Sequence, residues 1–400
     1  MFFRSPKSWL MPVISQHFLS RSRLLNLRKK AEQLRNSQSR PHVLHVFLQT
    51  DEPYSQLLTQ ALPKLQSRYA VSVMQHWVSE PDDSAVPERE KLKAYSQIDA
   101  KRLAVEYGLV FPAPLDKSSN SETSLQEAHQ LRKKWGHYLS GVIYYEGEWY
   151  WGIDRLHHLE SRLNDLGLST QAQSLELHKA KPLFFTPQYQ PVAHVPEGTA
   201  IDFYFSFRSP YSAISAAQIF NWAKENGVQV NLKYVLPMVM RGLPVPADKR
   251  RYISLDAARE AYVQNVNFGC LNDPVGRPTE RGLSLIPFAQ MHQLAEAYVM
   301  SFMQGVWSEG LDAGTDQHLK IMVERAGLNW LAAKDILKSD ANELLWRATA
   351  EQNRQSLFAL GLWGVPSFKF EDTAVWGQDR FWVIENALHD KLNSSTTSST

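Results

Sequence analysis

The pentapeptide Trp151-Gly152-Ile153-Asp154-Arg155 recurs as Trp376-Gly377-Gln378-Asp379-Arg380. Each copy follows a short extended run and opens an amphipathic segment. The first segment carries Leu156, Leu159, Leu163 and Leu166 at helical spacing, and the second carries Phe381, Ile384, Leu388 and Leu392. A different signature lies upstream of each. Val43-Leu44-His45-Val46-Phe47-Leu48 leads into Glu52-Pro53-Tyr54-Ser55, and Ile201-Asp202-Phe203-Tyr204-Phe205 leads into Ser209-Pro210-Tyr211-Ser212. Two signatures in one order, with matching surroundings, predict two copies of a single α/β domain. Each copy starts strand, turn, helix, with proline at the first helical position, where its missing N–H leaves no bond unmade.

The copies differ in their middles. Tyr54 and Gly152 are 98 positions apart, whereas Tyr211 and Gly377 are 166 apart. The second copy therefore carries a longer insertion, about 237–360, and its pattern is helical at 257–262, 289–306, 318–326 and 331–356. The expected domains are a basic leader over 1–42, helical or partly unfolded; a first copy over 43–166; a proline-rich linker over 167–198; and a second copy over 199–392. Residues 393–400 form a Ser/Thr tail with too little apolar content to fold.

Charge and cysteine content narrow the function. Residues 1–42 hold nine basic side chains and one acidic, leaving 34 basic and 40 acidic in the rest, so the body lacks the basic face a non-specific nucleic-acid binder needs. No run of about 18 apolar residues occurs, so no membrane span is expected. The chain is read as cytoplasmic, or as lying in an organellar matrix if the Arg- and Ser-rich leader is a transit peptide. A lone cysteine, Cys270, excludes an internal disulfide, a cysteine-rich metal centre and a two-cysteine redox motif. It reads as a small buried hydrophobe.

Candidate chemistry concentrates in the second copy. Ser209 precedes the helix-starting Pro210, which makes it an N-cap able to accept from orphan helix N–H groups. The same helix start favours a bound anion, and a hydroxyl there can donate to a thiolate. Further along, Pro366 in Gly364-Val365-Pro366-Ser367-Phe368 opens a strand, as an ordinary trans proline or as a cis one.

These residues resemble the 2-hydroxychromene-2-carboxylate isomerase and kappa-class glutathione transferase group, in the DsbA-like branch of the thioredoxin fold. The resemblance rests on residues 203–212, Gly364–Phe368 and Trp376–Arg380 and covers roughly 199–392. It implies two thioredoxin-like (DsbA-like) α/β domains in tandem, the second with a large all-helical insertion and glutathione bound between thioredoxin-like and helical parts. By resemblance Ser209 activates the glutathione sulfur. Val365 pairs with the cysteinyl main chain beside a cis Pro366. Gln378 and Asp379 bind the γ-glutamyl group, and Arg380 supports their loop. Where the family's isomerases often carry an asparagine, this chain has Leu243. Lys249, Arg250 and Arg251 follow it, as attractants for an acidic substrate or as a solvated helix start.

The implied activity is glutathione-dependent isomerisation or transfer on a small electrophilic, aromatic substrate. The competing reading is a catalytically silent binder of glutathione or a protein partner; the missing cysteine pair argues against a dithiol oxidoreductase. The first copy has Glu52 in the place of Ser209 and, by sequence alignment, Ile143 in the place of Pro366, so it reads as a degenerate partner. Homodimer and intramolecular pseudo-dimer both stay open. Asp154 and Arg155 read as helix-cap residues and Glu146–Trp151 as an aromatic hairpin. No metal is expected, since His157 and His158 are adjacent on a helix and should face apart.

Overall fold

The computed structural model describes residues 6–115, 124–170, 182–184 and 195–397. Most of the expected linker lies outside these. Two compact units emerge. One consists of Met1–Arg23, Gln188–Pro244 and Ile253–Thr400, and the other of Leu24–Pro187 with Val245–Tyr252.

The leader forms helices α1 (Pro6–Leu19) and α2 (Arg21–Ser37), and α1 groups with the second copy. Ser15 Oγ accepts from Leu271 N at 3.0 Å and donates to Leu271 O at 3.3 Å. The first copy then runs β1 (Val43–Leu48), α3 (Pro53–Arg68), β2 (Ser72–Trp77), α4 (Arg89–Tyr107), α5 (Leu125–Lys134), β3 (Val142–Tyr145), β4 (Glu148–Trp151) and α6 (Leu156–Asp165). Its sheet has the order β2-β1-β3-β4, with β1 parallel to β2 and the other pairs antiparallel. The β3–β4 hairpin turns on Glu146 (φ 40°) and Gly147 (φ 93°), the positive pair that a two-residue turn between twisted strands requires. Leu44, Val46, Phe47 and Leu48 are fully buried between the helices, as are Leu57, Leu58 and Leu65 of α3 and Leu156, Leu159 and Leu163 of α6.

The second copy repeats the plan with β5 (Ala200–Phe205), α7 (Pro210–Asn226) and β6 (Gln229–Tyr234). Helices follow without an intervening strand: α8 (Ala247–Val263), α9 (Arg277–Ser284), α10 (Ile286–Met291), α11 (Ala295–Trp307), α12 (Asp316–Arg325), α13 (Trp330–Ile336) and α14 (Asp340–Ala359). The unit closes with β7 (Ser367–Phe370), β8 (Thr373–Trp376) and α15 (Phe381–Thr397). The sheet order β6-β5-β7-β8 and its strand directions match the first sheet. Helix α15 carries Phe381, Ile384 and Leu388 fully buried and runs to Thr397, into the segment whose composition predicts no fold.

The repeat extends beyond the two shared signatures. Up to α8 the copies correspond at a constant offset of 157: β1 with β5, Glu52 with Ser209, and Tyr95-Ser96-Gln97-Ile98-Asp99-Ala100-Lys101-Arg102 with Tyr252-Ile253-Ser254-Leu255-Asp256-Ala257-Ala258-Arg259. In both copies the helix-start tyrosine donates to that buried aspartate. Tyr54 Oη lies 2.9 Å from Asp99 Oδ2, and Tyr211 Oη lies 2.8 Å from Asp256 Oδ2. Helix α8 is thus the counterpart of α4, and the extra length of the second copy falls after it rather than from 237.

Strand register also moves the counterpart of Pro366. Val142 pairs with Phe47 as Ser367 pairs with Tyr204. Gly152 N donates to Gly141 O, and Gly377 N to Pro366 O. Gly141, not Ile143, occupies the proline's place, and its N–H is used in a 2.8 Å bond to Phe47 O that a proline would lack.

Candidate functional site

Two segments of one unit meet at the start of α7, and a third joins them where Gly377 N donates to Pro366 O at 2.9 Å. The first is the β5–α7 turn. Ser209 holds an extended conformation (φ −91°, ψ 114°) and caps the helix, accepting from Ser212 N at 3.1 Å. Its neighbour Arg208 forms a two-pronged bond to Asp273, at 2.7 and 2.8 Å, which fixes the turn to the segment after α8. Trp307 of α11 donates to Phe207 O at 2.9 Å from the other side.

The second segment is the entry to β7. The Val365–Pro366 peptide is cis, as the resemblance implies. Ser209 Oγ donates to Val365 O at 3.1 Å, so the capping hydroxyl accepts from the helix and donates to the cis-proline segment at once. Ser212 Oγ, fully buried three residues on, has no hydrogen-bond partner among the described residues. Two hydroxyls thus stand at one helix start, one bonded to the β7 entry and one unspent.

The third segment is the 3-10 turn Gln378–Arg380 after β8. Gln378 is buried and its Nε2 donates to Asp379 Oδ1 at 2.9 Å. Asp379 is half-buried and Arg380 buried. Gln378 and Asp379 therefore make a joined amide–carboxylate pair, the donor and acceptor set that a zwitterionic head group would use. Gly364 completes the wall. A Cβ on it would stand 2.5 Å from Trp376 Nε1, and the Trp363 ring lies 4.7 Å from that of Trp376.

Other sequence candidates fall elsewhere. Lys249 is half-buried in the other compact unit, where its Nζ donates to Ala85 O at 2.8 Å and burial pushes it down to about 8. A lysine so placed is a structural tie there, while Arg250 and Arg251 are exposed. Leu243 follows Gly242, whose φ of 80° ends the 3-10 turn Met238–Arg241. Cys270 is half-buried rather than enclosed, and burial raises its thiol above the ordinary range, which makes it a poor nucleophile.

In the first copy Glu52 takes the N-cap of α3, accepting from Tyr54 N at 2.9 Å and from Ser55 N and Oγ at 2.6 and 2.7 Å. Burial raises its carboxyl above the usual range against these donors. Arg155 stands at the N-cap of α6 without a side-chain cap bond, so capping does not explain its retention. His157 and His158 do not face apart: their rings lie 3.9 Å from each other.

The site residues that sequence reasoning missed are Arg208 with Asp273, and Tyr211 with Asp256 and Arg259. Only the second set left a signal, the tyrosine-to-aspartate spacing shared by both copies.

Residues 200–389 match the family model of the DSBA-like thioredoxin domain. The 2-hydroxychromene-2-carboxylate isomerase of Pseudomonas sp. (strain C18) is 24% identical over 199 residues, spanning 47% of this chain and 89% of that protein. The enzyme of the same name from Sphingobium xenophagum is 25% identical over 198 residues, 48% of this chain and 98% of that one. Among solved structures, a 2-hydroxychromene-2-carboxylate isomerase aligns at TM-score 0.44 with 21% identity, covering 50% of this chain and all of that one (100%). The cytosolic disulfide reductase DsbM from Pseudomonas aeruginosa aligns at TM-score 0.38 with 15% identity, covering 50% and 98%. No helix among the described residues is long and apolar enough to cross a membrane.

Proposed function

With residues 200–389 forming a DSBA-like thioredoxin domain, we propose that this half of the chain is a glutathione-dependent isomerase or transferase acting on a small electrophilic, aromatic substrate. The observation that carries the reading is the hydroxyl pair Ser209 and Ser212 at the start of α7, where a dithiol oxidoreductase would carry two cysteines. Bound glutathione supplies the nucleophilic thiol that the chain lacks there. The relatives from Pseudomonas and Sphingobium xenophagum, both 2-hydroxychromene-2-carboxylate isomerases by name, accord with an isomerase.

The donor set fits the tripeptide. The start of α7 presents the positive end of the helix dipole, which favours an anion. Ser209 acts by turning its proton from Val365 O toward the sulfur, a charge-assisted bond that lowers a thiol pKa from roughly 8.5. The same rotation frees Val365 O to accept an amide N–H, so sulfur and main chain are recognised together. Asp379 holds the ammonium and Gln378 the carboxylate of the γ-glutamyl end, with Arg380 packed behind them. We read the first half as a degenerate thioredoxin-like copy in which Glu52 replaces the hydroxyl, and the cytoplasm as the compartment, where reduced glutathione is at hand.

A silent glutathione binder is the second reading, favoured by one observation: Ser209 Oγ is already satisfied by Val365 O without a ligand. Calorimetric titration with glutathione, followed by ultraviolet absorbance of the thiolate, separates the readings. Binding is expected, and Ser209→Ala should lower thiolate formation and turnover by about 10- to 100-fold, the worth of one hydrogen bond to a charged group. Absence of binding at millimolar glutathione sinks the reading. Binding without turnover on any electrophile selects the silent one.

A further inference from the structure

The first half holds a pocket around Glu52, the positional counterpart of Ser209, beside the start of α3 and lined also from α4. It holds about 560 Å³ of empty space, part of it open solvent. Its lining residues Glu52, Tyr54, Ser140 and Trp151 correspond in position to Ser209, Tyr211, Val365 and Trp376. The chemistry has changed, because Glu52 already takes Tyr54 N and Ser55 N. A carboxylate built into the protein stands where an external anion or thiolate would sit.

What the pocket still offers is an apolar wall and two opposite charges. Tyr54, Leu92, Leu139 and Trp151 supply the wall. Arg89 is spent on Glu80 at 2.8 Å and Asp83 at 2.7 Å. Lys93, one turn further along α4, is exposed, and its side chain makes no hydrogen bond or ion pair among the described residues. Asp51, also exposed, has a single hydrogen bond among them, from Gln49 Nε2 at 3.3 Å. An uncompensated cation and an uncompensated anion therefore border one apolar pocket.

We propose that this pocket is a binding site for a small zwitterion with an apolar body, an aromatic or branched α-amino acid. Asp51 receives the ammonium, Lys93 the carboxylate, and Trp151 with Leu139 the side chain. The inference is independent of the glutathione reading, since it uses no residue of the second half.

The test is calorimetric titration of the full chain with phenylalanine, phenylacetate and phenethylamine. Phenylalanine should bind, and each single-charge analogue should bind roughly fivefold more weakly, the scale of one exposed ion pair. Lys93→Ala should weaken phenylalanine and phenylacetate but leave phenethylamine unchanged, whereas Asp51→Asn should weaken phenylalanine and phenethylamine but leave phenylacetate unchanged. Both side chains are exposed, so neither change threatens the fold. The proposal is overturned if phenylalanine shows no binding at about 10 mM, if binding ignores both substitutions, or if Ser209→Ala abolishes it. Loss of glutathione binding with phenylalanine binding intact would sink the other reading alone.

Discussion

Gly364 shows how tightly single residues are specified near the cis-proline segment. Its absent Cβ is the room in which Trp376 lies, with Nε1 and Cε2 at 2.5 and 3.1 Å from where that carbon would be. An indole against backbone cannot swing away as a flexible chain end can, so Gly364→Ala must displace the ring. That ring sits one residue before Gly377-Gln378-Asp379, so the displacement reaches the Gln378–Asp379 pair. The variant should lose about 1–3 kcal/mol, the usual cost of overpacking, read as a lower midpoint in urea, and should bind glutathione more weakly. An unchanged midpoint would mean that the wall is softer than the contact implies. The buried aspartates make a paired case. Asp256 accepts from Tyr211 Oη and Arg259, and Asp99 from Tyr54 Oη and, at 3.4 Å, Tyr95 Oη. Tyr211→Phe and Tyr54→Phe each withdraw one donor from a buried acceptor, so each should cost about 1–3 kcal/mol by denaturant titration. A neutral result in one copy alone would show that its tyrosine serves something other than the aspartate.

At the scale of elements, the parallel pair β1–β2 carries an acid-sensitive contact. His45 Nδ1 lies 3.0 Å from His76 Nε2 and the two rings stack, with Phe47 stacked on His76 at 4.7 Å. Burial holds His45 below its ordinary pKa and pushes His76 down to about 4. In the folded state His76 stays neutral down to about 4 and His45 titrates below its ordinary value, whereas the unfolded chain takes up protons near 6.5. The unfolded state thus binds more protons between about 4 and 6.5, and stability falls as pH drops through that window. Thermal midpoints measured from pH 7.5 to 4.5 should decline, and His76→Phe, which keeps the stack without a titratable ring, should flatten part of that decline. A slope unaltered in His76→Phe would assign the acid sensitivity to other groups. How much of this was legible in the sequence varies with the kind of signal. Strands β1 and β5 and the proline-started helices α3 and α7 were readable because alternation, apolar runs and proline are local. Ser209 as a cap and Glu52 in its place were readable for the same reason. The equivalence of α4 and α8 was not, since only tyrosine, aspartate, alanine and arginine at wide spacing survive and the helix faces between them have diverged. The counterpart of Pro366 is not legible in sequence because a Gly-Val pair stands at the entry to the strand in both copies, and only the ladder bonds of Gly141 and Pro366 decide which residue faces which. The Arg208–Asp273 pair spans 65 positions and leaves no periodic trace.

For the whole molecule, the organisation along the chain differs from the order in which it is written. The basic leader looks detachable in sequence, yet α1 belongs to the compact unit of the second copy. Ser15 makes reciprocal bonds with Leu271, and the space in front of Gly310 (φ 65°) is filled by Pro12, whose Cβ and Cγ stand 2.5 and 2.7 Å from where a side chain would begin. Cys270 Sγ lies 3.2 Å from the same point, which places the one thiol near α1. Removing residues 1–19 from the full chain would therefore uncover the segment around Leu271 and the turn after α11, leaving two backbone groups of Leu271 to water and apolar surface exposed. The expected outcome is faster amide exchange over 266–272 and 305–312, faster reaction of Cys270 with a thiol reagent, and unchanged exchange in β1 and β3, which lie in the other unit. Equal protection in all of these segments after truncation would return α1 to the role its composition first suggested, a leader that the folded unit does not need. A Gly310→Ala chain tests the same seat without truncation. Its strained positive φ and its contact with Pro12 should loosen α1 and raise Cys270 reactivity in the same direction.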